Sequence, residues 1–268
     1  MNFKNYKTLS PEVKEQISKL KDIWLNCLGE SIIGIYIHGS IALDCFMDDV
    51  SDIDLLILCD RRIHREERIL ISKDIINIDG KPSHLEMSAI WINDLNPWKY
   101  PTPCQFHYSD TWTEHYKKLL RGDIKDSFIV DEDFCDSDIA CHVHLTNQNG
   151  ICIYGRPIEE VFPVVPEDDF WNSISNDINE YEFEAYHPRY FASNILILGR
   201  ILSYKKEKRI LSKYDGGIWV RGYVPERFRY IIDNAIKEWY LGEKGIKYIE
   251  EDLQELKRFL ISEIQDKS

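Results

Sequence analysis

Two carboxylates and a preceding glycine–serine pair are the residues of this sequence best suited to chemistry. Asp52 and Asp54 stand at i and i+2 at the start of an apolar run, so a strand would present both on one face. Adjacent carboxylates repel each other and resist burial, and a divalent cation resolves that conflict. Mg²⁺ binds one or two carboxylates and completes its shell with water and phosphate oxygens. The pattern therefore predicts a site for magnesium and a triphosphate, with Asp52 and Asp54 as metal ligands.

Gly39 and Ser40 follow an apolar, β-branched run that predicts a buried strand over residues 32–38. Eleven residues separate this pair from Asp52. A glycine allows the backbone to approach a phosphate closely, and the serine adds a hydroxyl donor. Either half is common alone, but the two together on consecutive strands are specific. We expect Gly39 and Ser40 to bind the nucleotide.

A third carboxylate lies in the next predicted strand, Leu85–Trp91, where Glu86 is the one charged residue. Alternation puts Leu85, Met87, Ala89 and Trp91 on one face, and Glu86 on the other. A carboxylate that does not bind metal tightly can act as general base on an acceptor hydroxyl. A surface glutamate on an edge strand is the alternative interpretation.

The elements around these residues indicate an α+β chain. Ser10-Pro11 starts a helix with apolar residues at helical spacing, strands follow at 32–38, 53–58 and 85–91, and a charged helix is predicted over 61–73. Prolines and glycine cluster in residues 155–170, after which the apolar pattern is helical, the last helix running from Ile246 to Ile264. We therefore predict a domain with a mixed sheet over 1–158 and an all-α domain over 159–268.

Composition limits the partners. The 268 residues include 46 Asp+Glu against 33 Lys+Arg, a formal net charge of -13. That balance argues against binding to a nucleic acid and favours a small cationic or metal-bridged ligand, the alternative being that the charge only keeps the protein soluble. No membrane span or signal peptide is expected, and seven cysteines without a C-x-x-C pair indicate neither disulfides nor zinc. A cytoplasmic monomer is expected, with Cys141-His142-Val143-His144 interpreted as packing.

The motif on the first two strands resembles the signature of the nucleotidyltransferase superfamily that includes DNA polymerase β. More closely, the chain is similar to the aminoglycoside adenylyltransferases that modify streptomycin and spectinomycin. The segments that carry this resemblance are Gly39-Ser40, Ser51–Leu56, Leu85–Met87, Pro97–Pro101, Val161–Pro166 and Tyr240–Glu243. It implies an N-terminal nucleotidyltransferase domain, a C-terminal helical bundle, and transfer of AMP from ATP to a drug hydroxyl.

The resemblance also implies roles for individual residues. Asp52 and Asp54 would bind Mg²⁺ with the ATP triphosphate, and Glu86 would be the general base. ATP would bridge the two domains, with phosphates and nucleoside contacted by Ser40, Ser51, Arg200, Lys213 and Tyr240. Trp112 matches a tryptophan that lies against the drug.

The sequence departs from the family where streptomycin-acting members grip the drug with a tryptophan and two aspartates. Tyr181, Tyr186 and Tyr190 stand there instead, which favours spectinomycin or a related aminocyclitol as the small cationic acceptor. Nearby Glu180, Glu182 and Glu184 could bind an amine or form a solvated segment. The substrate contacts predicted are therefore Trp112, Tyr181, Glu182 and Tyr186. Two alternatives stay open: transfer to a protein or another hydroxylated metabolite, and a nucleotide-binding module without catalysis.

Overall fold

The computed structural model of the chain describes residues 1–48, 50–125, 134–176, 178 and 188–266, with backbone alone for 188–190. The chain divides into two compact units, Asn2–Ser173 and Ile174–Ser268, the second also taking in Met1. The first unit is built on a mixed sheet, whereas all the described secondary structure of the second unit is helical. The α+β prediction is confirmed, and the exact domain boundary at 158 stays a prediction.

The first unit alternates strands and helices. Three single-turn 3₁₀ helices, at Gly29–Ser31, Ile92–Asp94 and Asp110–Trp112, join some of them. In chain order its elements are α1 (Pro11–Leu28), β1 (Ile32–Ile37), α2 (Gly39–Ala42), β2 (Ile53–Cys59), α3 (Arg65–Ile78), β3 (Leu85–Trp91), β4 (Thr102–Cys104), β5 (Phe106–Tyr108), α4 (Thr113–Arg121), β6 (Phe134–Asp136), α5 (Asp138–Asn149), β7 (Ile151–Gly155), α6 (Ile158–Val161) and α7 (Glu167–Ser175).

Five strands form the main sheet in the order β5-β3-β2-β1-β7, and β4 pairs with β6 in a separate ribbon. Strands β2 and β3 are parallel, and the other neighbours in the sheet are antiparallel. Side chains at odd positions of β2 and β3, and of β1 beyond its bulge at Ile32–Gly34, enter the hydrophobic core together with apolar residues of α1 and α3. Even positions, which include Asp54, Glu86 and Ser88, therefore point to the opposite face of the sheet.

Helix α1 begins as predicted, because the Ser10 hydroxyl accepts a hydrogen bond from the Val13 amide at 3.4 Å and proline follows the cap. The charged helix predicted over 61–73 instead runs from Arg65 to Ile78. The Arg61 guanidinium is held before the helix by both carboxylate oxygens of Glu67, at 2.7 and 2.8 Å. The His64 amide also donates to Glu67 Oε2 at 2.8 Å, so His64 caps the helix and residues 61–63 precede it.

The second unit contains α8 (Pro188–Glu207), α9 (Lys213–Tyr223), α10 (Arg229–Leu241) and α11 (Glu250–Gln265). The predicted start of the last helix at Ile246 is wrong, because α11 begins at Glu250 with three acidic residues in its first turn, where the helix dipole favours them. Leu253, Leu256, Leu260 and Ile264 are buried at the predicted spacing. Over the described parts of the chain, no helix is both long and apolar enough to cross a bilayer.

Candidate active site

Asp54 and Glu86 are direct neighbours across the parallel pair β2 and β3. Their Cα atoms are register partners, and adjacent strands lie about 4.8 Å apart. Asp52 immediately precedes β2, and the His38 amide donates to the Asp54 carbonyl oxygen at 3.1 Å, which joins the end of β1 to the start of β2. Strand β3 lies between β2 and β5, so the edge-strand interpretation of Glu86 does not hold.

Burial alternates around these carboxylates as the period of a strand requires. Ile53 is fully buried, whereas Asp52 and Asp54 on either side are only partly covered. In β3, Leu85 and Met87 belong to the core, and the Glu86 side chain between them is 37% exposed. The sheet therefore collects the carboxylates on the face opposite to α1 and α3, where they can reach a ligand.

Gly39 is shaped to admit the Asp54 side chain. Its φ is +60°, and a Cβ built on it would lie 2.6 Å from Asp54 Cγ and overlap Oδ2. Any side chain there would meet both a strained backbone and the carboxylate itself. Gly39 is therefore needed because it leaves room for the Asp54 carboxylate, in addition to any contact with a phosphate.

Replacing Gly39 with alanine is expected to lower kcat/KM by at least about 100-fold, because the new methyl group displaces the Asp54 carboxylate. Gly122→Ala is the matched control: Gly122 also has a positive φ, of +78°, but a Cβ there meets no atom within 4 Å. We expect the control to lower only the melting temperature. Equal losses of activity in the two variants would show that backbone strain alone explains the effect.

The oxygen groups beside Asp54 fit a magnesium–triphosphate site. Among the described residues, Ser40 Oγ is buried without a hydrogen-bond partner. Ser51 Oγ accepts from the Met47 amide at 3.0 Å, and its hydroxyl hydrogen is the group it can offer to a phosphate. No cluster of three or more His, Cys, Asp or Glu side chains suited to a metal occurs in the part of the chain described. Two aspartates that rely on phosphate and water for the other ligands are the arrangement Mg²⁺ prefers.

One histidine lies beside Glu86, and two more contact its neighbours. His142 Nε2 lies 3.8 Å from Glu86 Oε1, and the rings of His142 and His38 pack with centroids 4.7 Å apart. Ser88 Oγ and His107 Nδ1 form a hydrogen bond of 3.1 Å. Burial lowers the pKa of both His38 and His107, and the Coulomb effects of Asp136 and Glu86 offset this only partly for His107. Both rings are therefore neutral at pH 7.

A cavity of about 280 Å³ lies next to this group. Its walls are aromatic and acidic, formed by His107, Trp112, Phe134, Cys135, Asp136, Ser137 and Asp138. His107 is the register partner of Ser88, two residues beyond Glu86 on the same face of β3, which puts the cavity alongside the carboxylate. Trp112, predicted from the sequence as a substrate contact, is one of its walls.

In the helical unit, three predicted nucleotide contacts occur in one group at the start of α9. Arg200 Nε donates to the Leu211 carbonyl oxygen at 2.8 Å, two residues before Lys213. Lys213 Nζ lies 4.3 Å from the centre of the Trp239 ring, next in sequence to Tyr240. Tyr240 is 7% exposed. Their roles toward ATP stay predictions.

Trp112 is the one predicted substrate contact that lies among the described residues. Tyr181, Glu182 and Tyr186 lie outside the described residues. Sequence reasoning did not find the cavity residues His107 and Asp136. The only signal available was the alternation of polar and aromatic side chains around them, which is too common to indicate a site.

Known adenylyltransferases resemble the chain over most of its length. A spectinomycin 9-adenylyltransferase from Campylobacter jejuni is 25% identical, covering 95% of this chain and 96% of its own. An aminoglycoside (3'') (9) adenylyltransferase from Shigella flexneri is 22% identical, covering 87% of each. The crystal structure of a spectinomycin adenyltransferase from Enterococcus faecialis, solved with ATP and spectinomycin, superposes with a TM-score of 0.80 at 23% identity. That match covers 94% of this chain and 99% of the crystallised one, and it supports the fold.

The nucleotidyltransferase domain family matches residues 13–118, the segment that carries the three carboxylates. Fold, carboxylates and match together define a nucleotidyltransferase, an enzyme whose co-substrate is a nucleoside triphosphate. A second family, described as the aminoglycoside adenylyltransferase C-terminal domain, matches residues 160–263. The chain belongs to the aminoglycoside adenylyltransferase family.

Proposed function

We propose that this enzyme transfers AMP from ATP, with Mg²⁺, to a hydroxyl of an aminocyclitol antibiotic of the spectinomycin type, and so confers resistance. The observation that carries the proposal is the register of Asp54 with Glu86, beside a cavity with acidic and aromatic walls. This register puts Asp54, the proposed ligand of the nucleotide's metal, on the strand next to Glu86, the proposed base, and both lie beside a cavity that could take a cation.

Different residues of the first unit would act on the two substrates. Asp52 and Asp54 would hold the metal, and Ser40 and Ser51 would donate hydrogen bonds to phosphate oxygens. Magnesium, when bound, would neutralise the triphosphate and the pyrophosphate leaving group. Glu86 takes the proton of the acceptor hydroxyl, so that the oxygen attacks the α-phosphorus with a lone pair. The protein's contribution is position and charge.

The acceptor would lie in the cavity, because its walls match the chemistry of a hydroxylated amine. Asp136 and Asp138 supply negative charge, and the Trp112 and Phe134 rings supply flat apolar surface. His107, neutral at pH 7, can donate or accept a hydrogen bond without repelling an ammonium group. At about 280 Å³ the cavity is at the small end of ligand pockets, which suits a compact aminocyclitol.

Asp136→Asn is expected to raise the KM for the acceptor about 10-fold, the effect of losing one charge-assisted contact, while the KM for ATP stays within twofold. Asparagine keeps the oxygen that accepts the Asp138 amide at 2.9 Å, so the start of α5 is preserved. Glu114→Gln, an equal loss of charge on the exposed face of α4, is the control. Steady-state kinetics with each substrate varied in turn measure the two KM values. A change confined to the KM for ATP would show that the cavity is not the acceptor site.

The function itself is tested by pyrophosphate release with ATP and Mg²⁺ across a panel that includes spectinomycin and streptomycin. We expect spectinomycin to be consumed and to gain the mass of one AMP moiety, and streptomycin to be a poor substrate. Expression in a susceptible host should then raise the inhibitory concentration of spectinomycin. Pyrophosphate release with streptomycin alone would contradict the proposed acceptor. Label transferred from ATP to protein would indicate a protein acceptor, and ATP binding without any release would indicate a non-catalytic module.

A further inference from the structure

The imidazole of His142 faces the Glu86 carboxylate from a different element. His142 lies on α5, its Nε2 is 3.8 Å from Glu86 Oε1, and its side chain is 14% exposed. This separation is too long for a hydrogen bond. Distances between catalytic groups are often long before substrate binds, however, and shorten in the complex. The pair is an electrostatic contact that a small movement of the Glu86 side chain would turn into a hydrogen bond.

Packing against a buried neighbour holds the ring of His142 in this orientation. Its face packs on His38, which is buried at the end of β1, with ring centroids 4.7 Å apart. His142 Nδ1 is buried without a hydrogen-bond partner among the described residues, whereas Nε2 faces Glu86, so Nε2–H is the ring donor with an acceptor nearby.

We propose that His142 is a positioning residue for Glu86, whose Nε2–H holds one carboxylate oxygen and leaves the other directed at the acceptor hydroxyl. The inference rests on the proposed function, in which Glu86 is the general base. Glutamate has three rotatable side-chain bonds, and at 37% exposure Glu86 is not fixed by packing alone. A donor on a rigid ring supplies the missing restraint, and a misplacement of about 1 Å can cost 100-fold in rate.

Two amide substitutions separate the position of the donor from the volume of the side chain. His142→Gln brings an amide N–H to the place of Nε2, whereas His142→Asn reaches only the place of Nδ1. We expect His142→Asn to lower kcat about 10- to 100-fold with the KM for ATP within twofold, and His142→Gln to retain most of kcat. His144→Asn is the control, because His144 packs on the Phe170 ring at 4.0 Å and should leave kcat unchanged. Equal losses in the Gln and Asn variants would contradict a donor role.

A double-mutant cycle tests whether His142 acts through Glu86. In the Glu86→Gln background, adding His142→Asn should slow the residual transfer no further, because no base is left to position. A purely structural histidine would give the same fold-loss in both backgrounds. Additive losses would therefore overturn the proposal.

One measurement is independent of any acceptor. In the protein without substrates, Glu86→Gln should move the ¹⁵N resonance of His142 Nε2 and leave that of His144 in place. If no acceptor in the panel is consumed, the proposed function fails, yet this spectrum still tests the contact. An unmoved His142 resonance would overturn the inference whatever the acceptor proves to be.

Discussion

Asp54→Asn is expected to abolish AMP transfer, with kcat lowered roughly 1000-fold or more. The amide keeps the volume that fits against Gly39, so the fold and the melting temperature should be preserved. What is lost is the charge needed to hold Mg²⁺ beside a triphosphate, and asparagine is a weak substitute for a carboxylate at such a site. Asp52→Asn is expected to behave in the same way.

Pyrophosphate release measures the turnover of the Asp54 variant, and titration calorimetry with ATP at several Mg²⁺ concentrations tests the reason for the loss. Wild-type affinity for ATP should rise with Mg²⁺, and the variant should lose that dependence. Asp60→Asn removes the same charge just after the other end of β2, on an exposed residue, and should change neither quantity. If the ATP affinity of the Asp54 variant still rose with Mg²⁺ concentration, Asp54 would not be a ligand of the metal.

Glu86→Gln should slow transfer about 100-fold and leave ATP binding nearly intact, because the amide cannot accept the proton of the hydroxyl. The contrast with Asp54 is the informative part, since the two residues are register partners on adjacent strands yet are predicted to fail in different ways. The dissociation constant for ATP, with and without Mg²⁺, distinguishes the two failures. Glu66→Gln, on the exposed first turn of α3, serves as the control for loss of charge. Normal turnover by Glu86→Gln would show that the base is another group.

The three carboxylates could be predicted from the sequence because the signal is local. A strand has a period of two, so Asp52, Asp54 and Glu86 could be assigned to a face from their spacing alone. The interior position of β3 in the sheet could not be predicted in this way, because it depends on the pairing of β3 with β5, residues 106–108. The cavity could not be predicted from the sequence for the same reason. Asp136 is placed there by the pairing of β4 with β6, which are some thirty residues apart in the chain.

The segment 141–144 shows a different limit. A metal site was weighed against packing for its two histidines in the sequence analysis, but neither interpretation indicates where each ring lies. Residues two apart on a helix point about 200° away from each other. His142 consequently faces Glu86 and His38, whereas His144 packs on Phe170. The rotation of the helix relative to the sheet decides which of the two histidines lies near Glu86. Sequence spacing alone does not indicate that rotation.

The parallel register of β2 and β3 has a kinetic consequence. Under the proposed function, the aspartate that would hold the nucleotide's metal and the glutamate that would act as base are register partners on neighbouring strands. Donor and acceptor would then bind side by side, and the α-phosphorus would pass from one oxygen to the other with a single inversion of its configuration. An enzyme of this kind would work through a ternary complex, without an adenylylated side chain between two half-reactions.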